Sequence, residues 1–433
     1  MYKSIYKNLQ KEFTIKKDIK KYSELVWSNG NNNAPIQRWF SLKESFSIDL
    51  LEELIKDWDI TLSDNYKVLD PFCGCGTSLL SIQKIAKKHG VKHIETIGYE
   101  QNPFIYFTAK NKVNWNTYDL DEINNAIEKI SQINLSIEPQ NIPQLSTLNR
   151  KDIISPKTLK KALLIKEAIN KLNGKEKDLL LLGFARIIES ISSVKKDGRA
   201  LRIVKNKKKK RLMPALKQSW KDIVEDLEKA NEHYFPSNIN VILGDGRKIK
   251  ERNKKNNLEN INLIIYSPPY MNNFDYSEIY KMELWMCDMI KNYDEFKLLR
   301  KKTFRSHHSI NFNSPITYNQ DKKLEQIHNI IEDIIKEIPQ NKYFSRRAKV
   351  IREYFDDMYK ALVSQKEVLI KDGWIFCIVG NSFHGIPIAV DLIIAKIARA
   401  IGLKIEAIQL ARQINHRIRK STFLRESIIV MRK

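Results

Sequence analysis

Eight residues, Asp70-Pro71-Phe72-Cys73-Gly74-Cys75-Gly76-Thr77, stand between a strand-like run, Tyr66–Asp70, and an amphipathic run carrying Leu79, Leu80, Ile82, Ile85 and Ala86. Glycine tolerates φ > 0 and lets a ligand approach the backbone closely, so Gly74 and Gly76 mark a strand–turn–helix built for contact. No lysine follows Gly76, which excludes a phosphate loop. Leu79 stands where a dinucleotide fingerprint has its third glycine. A second strand, Ile94–Tyr99, ends at Glu100, about 30 residues after Asp70. A carboxylate there can accept both hydroxyls of a ribose, or serve the N-terminus of the helix that Asn102-Pro103 opens. Asp245 follows the strand Asn240–Leu243 in the same way and can accept an adenine amino group or stay structural. Acids at strand ends without a phosphate loop suit a nucleoside that lacks phosphates. S-adenosylmethionine is such a molecule.

A fourth strand, Ile261–Tyr266, runs into Ser267-Pro268-Pro269-Tyr270. Two prolines stiffen the backbone and remove two N–H donors, leaving nearby carbonyls free for a ligand. A fixed carbonyl and the Ser267 hydroxyl can accept from a planar amino group, and the Tyr270 ring can stack on a base. Held so, an exocyclic amino nitrogen faces a methyl donor without any covalent intermediate. Asn272, Asn273, Asp275 and Tyr276 follow closely enough to line the same pocket. Either motif alone also fits a plain turn after a strand.

Together the two motifs resemble the amino-directed DNA methyltransferases, which methylate N4 of cytosine or N6 of adenine. Residues 70–77 match that family's Asp-Pro-Phe-x-Gly-x-Gly-Thr turn throughout, and Ser267–Tyr270 match its second signature. The resemblance implies a class I Rossmann-like α/β fold: a seven-stranded, mostly parallel sheet with a C-terminal antiparallel hairpin, plus a helical insertion. It implies that Asp70, Phe72, Gly74, Gly76, Thr77, Glu100 and Asp245 hold S-adenosylmethionine, with Phe46 in a segment folded over it. Ser267, Pro268, Pro269 and Tyr270 would hold the flipped base. Serine in the tetrapeptide is more usual among the cytosine-N4 enzymes and aspartate among the adenine-N6 ones, so the expectation is cytosine N4 in a site-specific enzyme of a restriction-modification system. Adenine N6, and guanine N2 of transfer RNA, are the alternatives, as is a DNA-binding module on a vestigial methyltransferase fold. C5-cytosine methylation needs a cysteine nucleophile, usually after proline, and no cysteine here follows one.

The elements that must position these residues give the domain reading. Residues 1–35 read as an N-terminal extension, and 36–115 with 236–433 as the catalytic domain. Residues 116–235 read as a helical insertion (Leu120–Ile133, Pro156–Leu172, Glu176–Ile191 and Leu216–Tyr234) broken by a basic loop, Val194–Pro214. Residues 292–345 read as a loop-rich insertion. Either insertion is a candidate for target recognition. Lys349–Lys371 and Pro387–Ile401 read as helices, Gly373–Val379 as a buried strand, and Lys404–Ala411 with Glu426–Met431 as a closing antiparallel pair.

The 433 residues carry 75 Lys+Arg against 51 Asp+Glu, a formal charge of +24 that speaks to an anionic partner and not to fold. Duplex DNA is the first candidate, with Lys195, Arg199, Arg202, Lys207, Lys208, Arg211, Arg412, Arg417 and Arg419 as contacts; a Lys-, Ile- and Asn-rich composition explains part of the excess. A cognate restriction endonuclease is the second expected partner. A hydrophobic content of 42% supports a packed core and excludes wholesale disorder. Four cysteines without a Cys-x-x-Cys pair make neither a disulfide framework nor a zinc site. No metal is expected, and His307 and His308 read as surface or DNA-contacting residues. With no signal-peptide h-region and no apolar run long enough to span a bilayer, the expectation is a prokaryotic cytoplasmic protein without a membrane partner.

Overall fold

The structure is a computed structural model that describes residues 2–142, 147–197, 200–249, 258–339, 341, 346–414 and 421–433. Three of the expected DNA contacts, Arg199, Arg417 and Arg419, lie outside them.

The chain opens with α1 (Tyr2–Lys11), β1 (Ile15–Lys17), α2 (Ile19–Tyr22) and α3 (Leu50–Asp57). A βαβ unit follows: β2 (Tyr66–Asp70), α4 (Thr77–His89) and β3 (Ile94–Glu100). Next come α5 (Pro103–Val113), α6 (Leu120–Ser131), α7 (Pro156–Asn170) and α8 (Glu176–Ile191), a hairpin of β4 (Val194–Asp197) and β5 (Ala200–Ile203), and α9 (Leu212–His233). The sheet resumes with β6 (Asn238–Leu243) and β7 (Ile261–Tyr266). Then come α10 (Tyr276–Ile279), α11 (Lys281–Met286), α12 (Tyr293–Lys302), α13 (Glu325–Lys336) and α14 (Arg347–Val368). The chain closes with β8 (Leu369–Gly380), β9 (Ser382–Phe383), β10 (Pro387–Ile388), α15 (Val390–Ala400), β11 (Lys404–Gln413) and β12 (Arg425–Arg432).

The main sheet has the order β6-β3-β2-β7-β8-β12-β11-β1. Every neighbouring pair is parallel except those made by β12, which runs against both β8 and β11. Seven of these strands form the mostly parallel Rossmann-like sheet that the resemblance implies, with the reversed strand near one edge. The eighth, β1, comes from the N-terminal segment and caps the open edge of β11 at Ile15↔Ile408. Residues 1–35 therefore pack on the sheet: Tyr6 and Tyr22 are fully buried, and the Tyr6 hydroxyl donates to the Pro387 carbonyl at 3.0 Å.

The central strands are apolar on both faces, as parallel strands covered by helices must be. Val68, Leu263, Ile265, Phe376, Ile378, Ile428 and Val430 pack with α3 and α4. The alternate positions Leu69, Ile264, Tyr266, Ile375, Cys377, Ile429 and Met431 pack with α13, α14 and α15. A third core joins α5 to α6, α7, α8 and α9, so the helical insertion rests on the helix that follows β3. Local signals fix the helix ends. Asn102 accepts from the backbone N–H of Phe104 at 3.0 Å ahead of Pro103 at the first turn, and Gly90 closes α4 in the left-handed region.

Two stretches differ from the sequence reading. The basic stretch 194–214 contains the β4–β5 hairpin, because Val194, Leu201 and Ile203 give it an apolar face that seats on the helical core. The stretch 292–345 contains α12 and α13; Ile327, Ile331, Ile334 and Ile335 form one buried helical face beneath a polar average. No helix among the described residues is long and apolar enough to cross a membrane.

Candidate active site

Strand order reverses between β2 and β7, and a crevice opens beyond the carboxyl ends of strands at such a point. The Gly-rich turn leaves β2 there and Ser267-Pro268-Pro269-Tyr270 leaves β7, so two motifs about 190 residues apart become neighbours. The crevice is a cleft of about 1100 Å³, partly open to solvent. Asp70, Phe72, Gly74, Thr77, Glu100, Asp245, Phe46, Ser267 and Pro269 line it. A side cavity of about 610 Å³ adjoins it, walled by Ser267, Pro268, Tyr270, Asn272, Trp27, Arg412 and Glu426. Glu44, Ser45, Ser267 and Tyr276 line both, so the two spaces meet across the tetrapeptide.

Gly74 and Gly76 have φ of 53° and 85°, the left-handed conformations that the turn requires. A Cβ on Gly74 would press on Leu42 at 3.1 Å. Gly76 itself caps α4 and is not part of the cleft wall. Asp70 braces the turn: it accepts from the Phe72 N–H at 2.8 Å and from the Ser78 hydroxyl. The Thr77 hydroxyl meets that of Ser45 at 2.8 Å and so ties the 42–46 segment over the turn. That segment is clamped from behind. Arg38 is paired with Asp226 of α9 at 2.7 Å, and buried Lys112 of α5 donates to the Phe40 carbonyl at 2.5 Å.

Burial pushes the carboxyls of Asp70 and Glu100 up to about 7, against the hydrogen bonds each accepts. Glu100 Oε1 accepts from the Asn102 N–H at 2.7 Å, so the acid serves the start of α5 while lining the cleft. Asp245 is also in the wall, but its carboxylate is forked by Arg247, with Nε–Oδ1 at 2.9 Å and Nη2–Oδ2 at 2.8 Å. Arg247 reaches on to Asp357 of α14 at 2.6 Å and to the Lys302 carbonyl at 2.7 Å. Asp357 in turn holds buried Arg305. This chain of ions fixes the 299–307 segment as the far wall, where Phe304 lies edge-on to Phe72 at 5.7 Å. His307 belongs to that wall. It is 2% exposed, which corrects the surface reading, and burial lowers its pKa against the pull of Asp275. His308 is partly buried against Asn273 at 2.6 Å.

On the other side, the Tyr270 ring lies against Gly380 at the end of β8; a Cβ there would come within 2.6 Å of Tyr270 Cε2. Burial raises the Tyr270 hydroxyl far above its usual range, so the ring stays neutral. Asn273 and Asp275, expected in the pocket, line neither space and are paired with His308 and Arg300, while Asn272 and Tyr276 line the side cavity. Among the expected DNA contacts, Lys195, Arg202, Lys208 and Arg211 are exposed on the β4–β5 region. Lys207 is not presented to solvent in that way: its Nζ donates to the carbonyls of Glu189 and Val194, both at 2.5 Å, and holds the hairpin to α8. The four cysteines are buried thiols, and burial raises Cys73 well above its normal pKa. Trp27, Phe304, Gly380 and Glu426 have no local motif to mark them and reach the site from distant elements; Arg247 and Glu44 stand two residues from Asp245 and Phe46, and that adjacency is the signal available for them.

No family model matches the chain. The Type II methyltransferase M.AvaI of Nostoc is 25% identical over 411 residues, covering 89% of this chain and 82% of that protein. The Type II methyltransferase M.BsoBI of Geobacillus stearothermophilus is 27% identical over 290 residues; the match covers 60% of this chain and only about half, 54%, of that relative's length. Among solved structures, the rRNA methyltransferase aviRa of Streptomyces viridochromogenes aligns over 95% of this chain and 89% of its own at 10% identity with a TM-score of 0.30. TrmN of Thermus thermophilus aligns over 89% of this chain and 48% of its own at 10% identity with a TM-score of 0.27, and neither likeness is strong enough to bear weight. Along most of its length the chain is similar in sequence to Type II methyltransferases, and its own sheet has the strand order that the resemblance implies.

Proposed function

We propose that this protein is a site-specific DNA methyltransferase that moves a methyl group from S-adenosylmethionine to an exocyclic amino group of a flipped base, cytosine N4. One observation carries the reading: a cleft suited to the cofactor and a cavity suited to a base meet at Ser267 and Tyr276.

The cleft's own groups fit this cofactor. Glu44, Asp70 and Glu100 give its wall carboxyls, of which Asp70 and Glu100 carry negative charge above about pH 7; that suits a ligand bearing a sulfonium and an ammonium and opposes one bearing phosphates. Among the described residues its wall has one arginine, Arg247, which is already taken up by Asp245 and Asp357. Glu100 offers a carboxylate to the ribose, Gly74 opens the turn to close approach, and Phe46 and Phe72 supply apolar walls. Bound there, S-adenosylmethionine supplies an electrophilic methyl group. The chain's residues orient the acceptor: Ser267 and the carbonyls freed by the two prolines take the amino hydrogens, and Tyr270, seated on Gly380, stacks on the base. Reaching this cavity requires extrusion of the base from the duplex, and the exposed cations of the β4–β5 region provide phosphate contacts beside α10. The Type II designation of the relatives supports a restriction-modification setting in a prokaryotic cytoplasm, with a cognate endonuclease as partner.

Incubation with labelled S-adenosylmethionine and mixed-sequence duplex DNA, followed by nucleoside analysis, tests this reading. N4-methyldeoxycytidine is the expected product. Absence of label in every duplex, with cofactor binding verified by calorimetry, would sink the reading. Preferential labelling of RNA would replace it with an RNA amino-methyltransferase.

A further inference from the structure

The side cavity has a polar wall that the tetrapeptide does not supply. It is built from the N-terminal segment and the last hairpin of the sheet: Trp27, Arg412 and Glu426. Arg412 stands opposite Glu426 across β11 and β12, and the register slips by one residue between Leu410 and Arg412. Such a bulge re-aims the side chain that follows it. The Arg412 Nε donates to Glu426 Oε2 at 2.8 Å, and its guanidinium carbon sits 4.4 Å from the centroid of the Trp27 ring. Glu426 is only 6% exposed, whereas Trp27 is 44% exposed at the mouth. The guanidinium is thus fixed by an acid along one edge and by an indole on one face. Among the described residues nothing accepts a hydrogen bond from its two terminal nitrogens.

A fixed guanidinium end presents two parallel N–H donors, which match two adjacent in-plane acceptors. The Watson–Crick edge of cytosine has that pattern next to its amino group: N3 and O2, spaced much like the oxygens of a carboxylate. Adenine has one acceptor there, N1, followed by a C–H. Guanine has an N–H at the corresponding place. With the amino group at Ser267, the remainder of that edge faces the other walls of the cavity, of which Arg412 is the fork-shaped donor.

We propose that Arg412, positioned by Glu426 and Trp27, reads N3 and O2 of a flipped cytosine and so selects cytosine over adenine. This rests on the amino-transfer reading of the same site.

The test uses the full chain, a mixed-sequence plasmid duplex and labelled S-adenosylmethionine, with products resolved as nucleosides. Arg412→Gln is expected to lower kcat/KM for the duplex by about 10- to 100-fold, as removal of a bidentate base reader does, with S-adenosylmethionine affinity held within about twofold. Arg412→Lys keeps a cation against Glu426 but removes the fork, and it should lose nearly as much. Once the modified position is mapped, 3-deazacytosine in its place removes the N3 acceptor. It should cost the wild type about tenfold and the Arg412→Gln variant little more. N6-methyldeoxyadenosine as the wild-type product, a lysine variant at the wild-type rate, or fully additive losses in that cycle would each overturn the assignment while leaving amino transfer standing. No transfer to any duplex would remove the amino-transfer reading and this one together.

Discussion

Glu100 brings its carboxyl into a cleft that also holds Asp70, and burial moves each to about 7. Ribose hydroxyls donate to the ionised acid, so binding must first expel its proton. S-adenosylmethionine affinity should therefore rise between pH 6 and pH 8 by up to about tenfold per unit below the pKa, and Glu100→Gln should weaken binding and flatten that profile. Calorimetric titration across the range checks both. Without ligand the sign is opposite: a carboxyl whose pKa is raised on folding costs stability as pH climbs from its unfolded value toward 7, and the cofactor offsets that cost. Tyr270 depends on its neighbour in a different way. Gly380→Ala places a methyl within 2.6 Å of the ring, so turnover should fall by about 100-fold or less while cofactor affinity holds, in steady-state assays against duplex DNA. At this scale the legible residues were those whose roles sit in contiguous motifs, residues 70–77 and 267–270. Phe304 and Gly380 reach the site only through tertiary contacts, and nothing in their local sequence announces them.

Elements were legible where periodicity was undiluted. The βαβ unit around residues 66–100 and the closing pair 404–431 follow from apolar runs and turn glycines. Two cases hid their pattern under charge: α13, whose four isoleucines face inward from a polar stretch, and the β4–β5 hairpin, whose lysines mask Val194 and Ile203. The strand β1 was hidden for another reason. It has three residues, and its pairing partner lies nearly 400 residues away. The same long-range logic governs the turn after β6. Gly246 packs so tightly on the turn after β2 that a Cβ would fall 1.9 Å from the Pro71 carbonyl oxygen. Backbone cannot yield there as a flexible side chain would, so Gly246→Ala should separate the two turns. The expected result is a loss of S-adenosylmethionine binding by calorimetry that exceeds the loss from Glu100→Gln, together with a lowered melting temperature. Wild-type affinity in that variant would show that the two turns are not coupled.

The charge of +24 acquires a geography in the whole molecule. Many cations are committed internally: Arg38 to Asp226, Arg247 and Arg305 to Asp357, Lys196 to Glu283, and Lys207 to backbone carbonyls. Lys195 on β4 and Lys208 and Arg211 between β5 and α9 remain exposed, and the hairpin they flank packs through β5 beside α10, whose Tyr276 lines the side cavity. A duplex laid across that hairpin would have these cations on its phosphates while a base enters the cavity, whereas exposed lysines elsewhere would contribute only a diffuse field. The two cases separate by counterion release, because a cation touching a phosphate steepens the dependence of log affinity on log salt by about 0.9 and a distant one does not. Replacing Lys195, Lys208 and Arg211 together by glutamine should flatten that slope by about 0.9 for each phosphate no longer neutralised, weaken duplex binding across all sequences alike, and leave S-adenosylmethionine affinity unchanged. Glutamine substitutions of Lys87 and Lys88, exposed in the last turn of α4, and of Lys92, exposed just beyond it, supply the control. Equal slopes for the two triple variants would assign the excess charge to composition and move the DNA-binding face elsewhere.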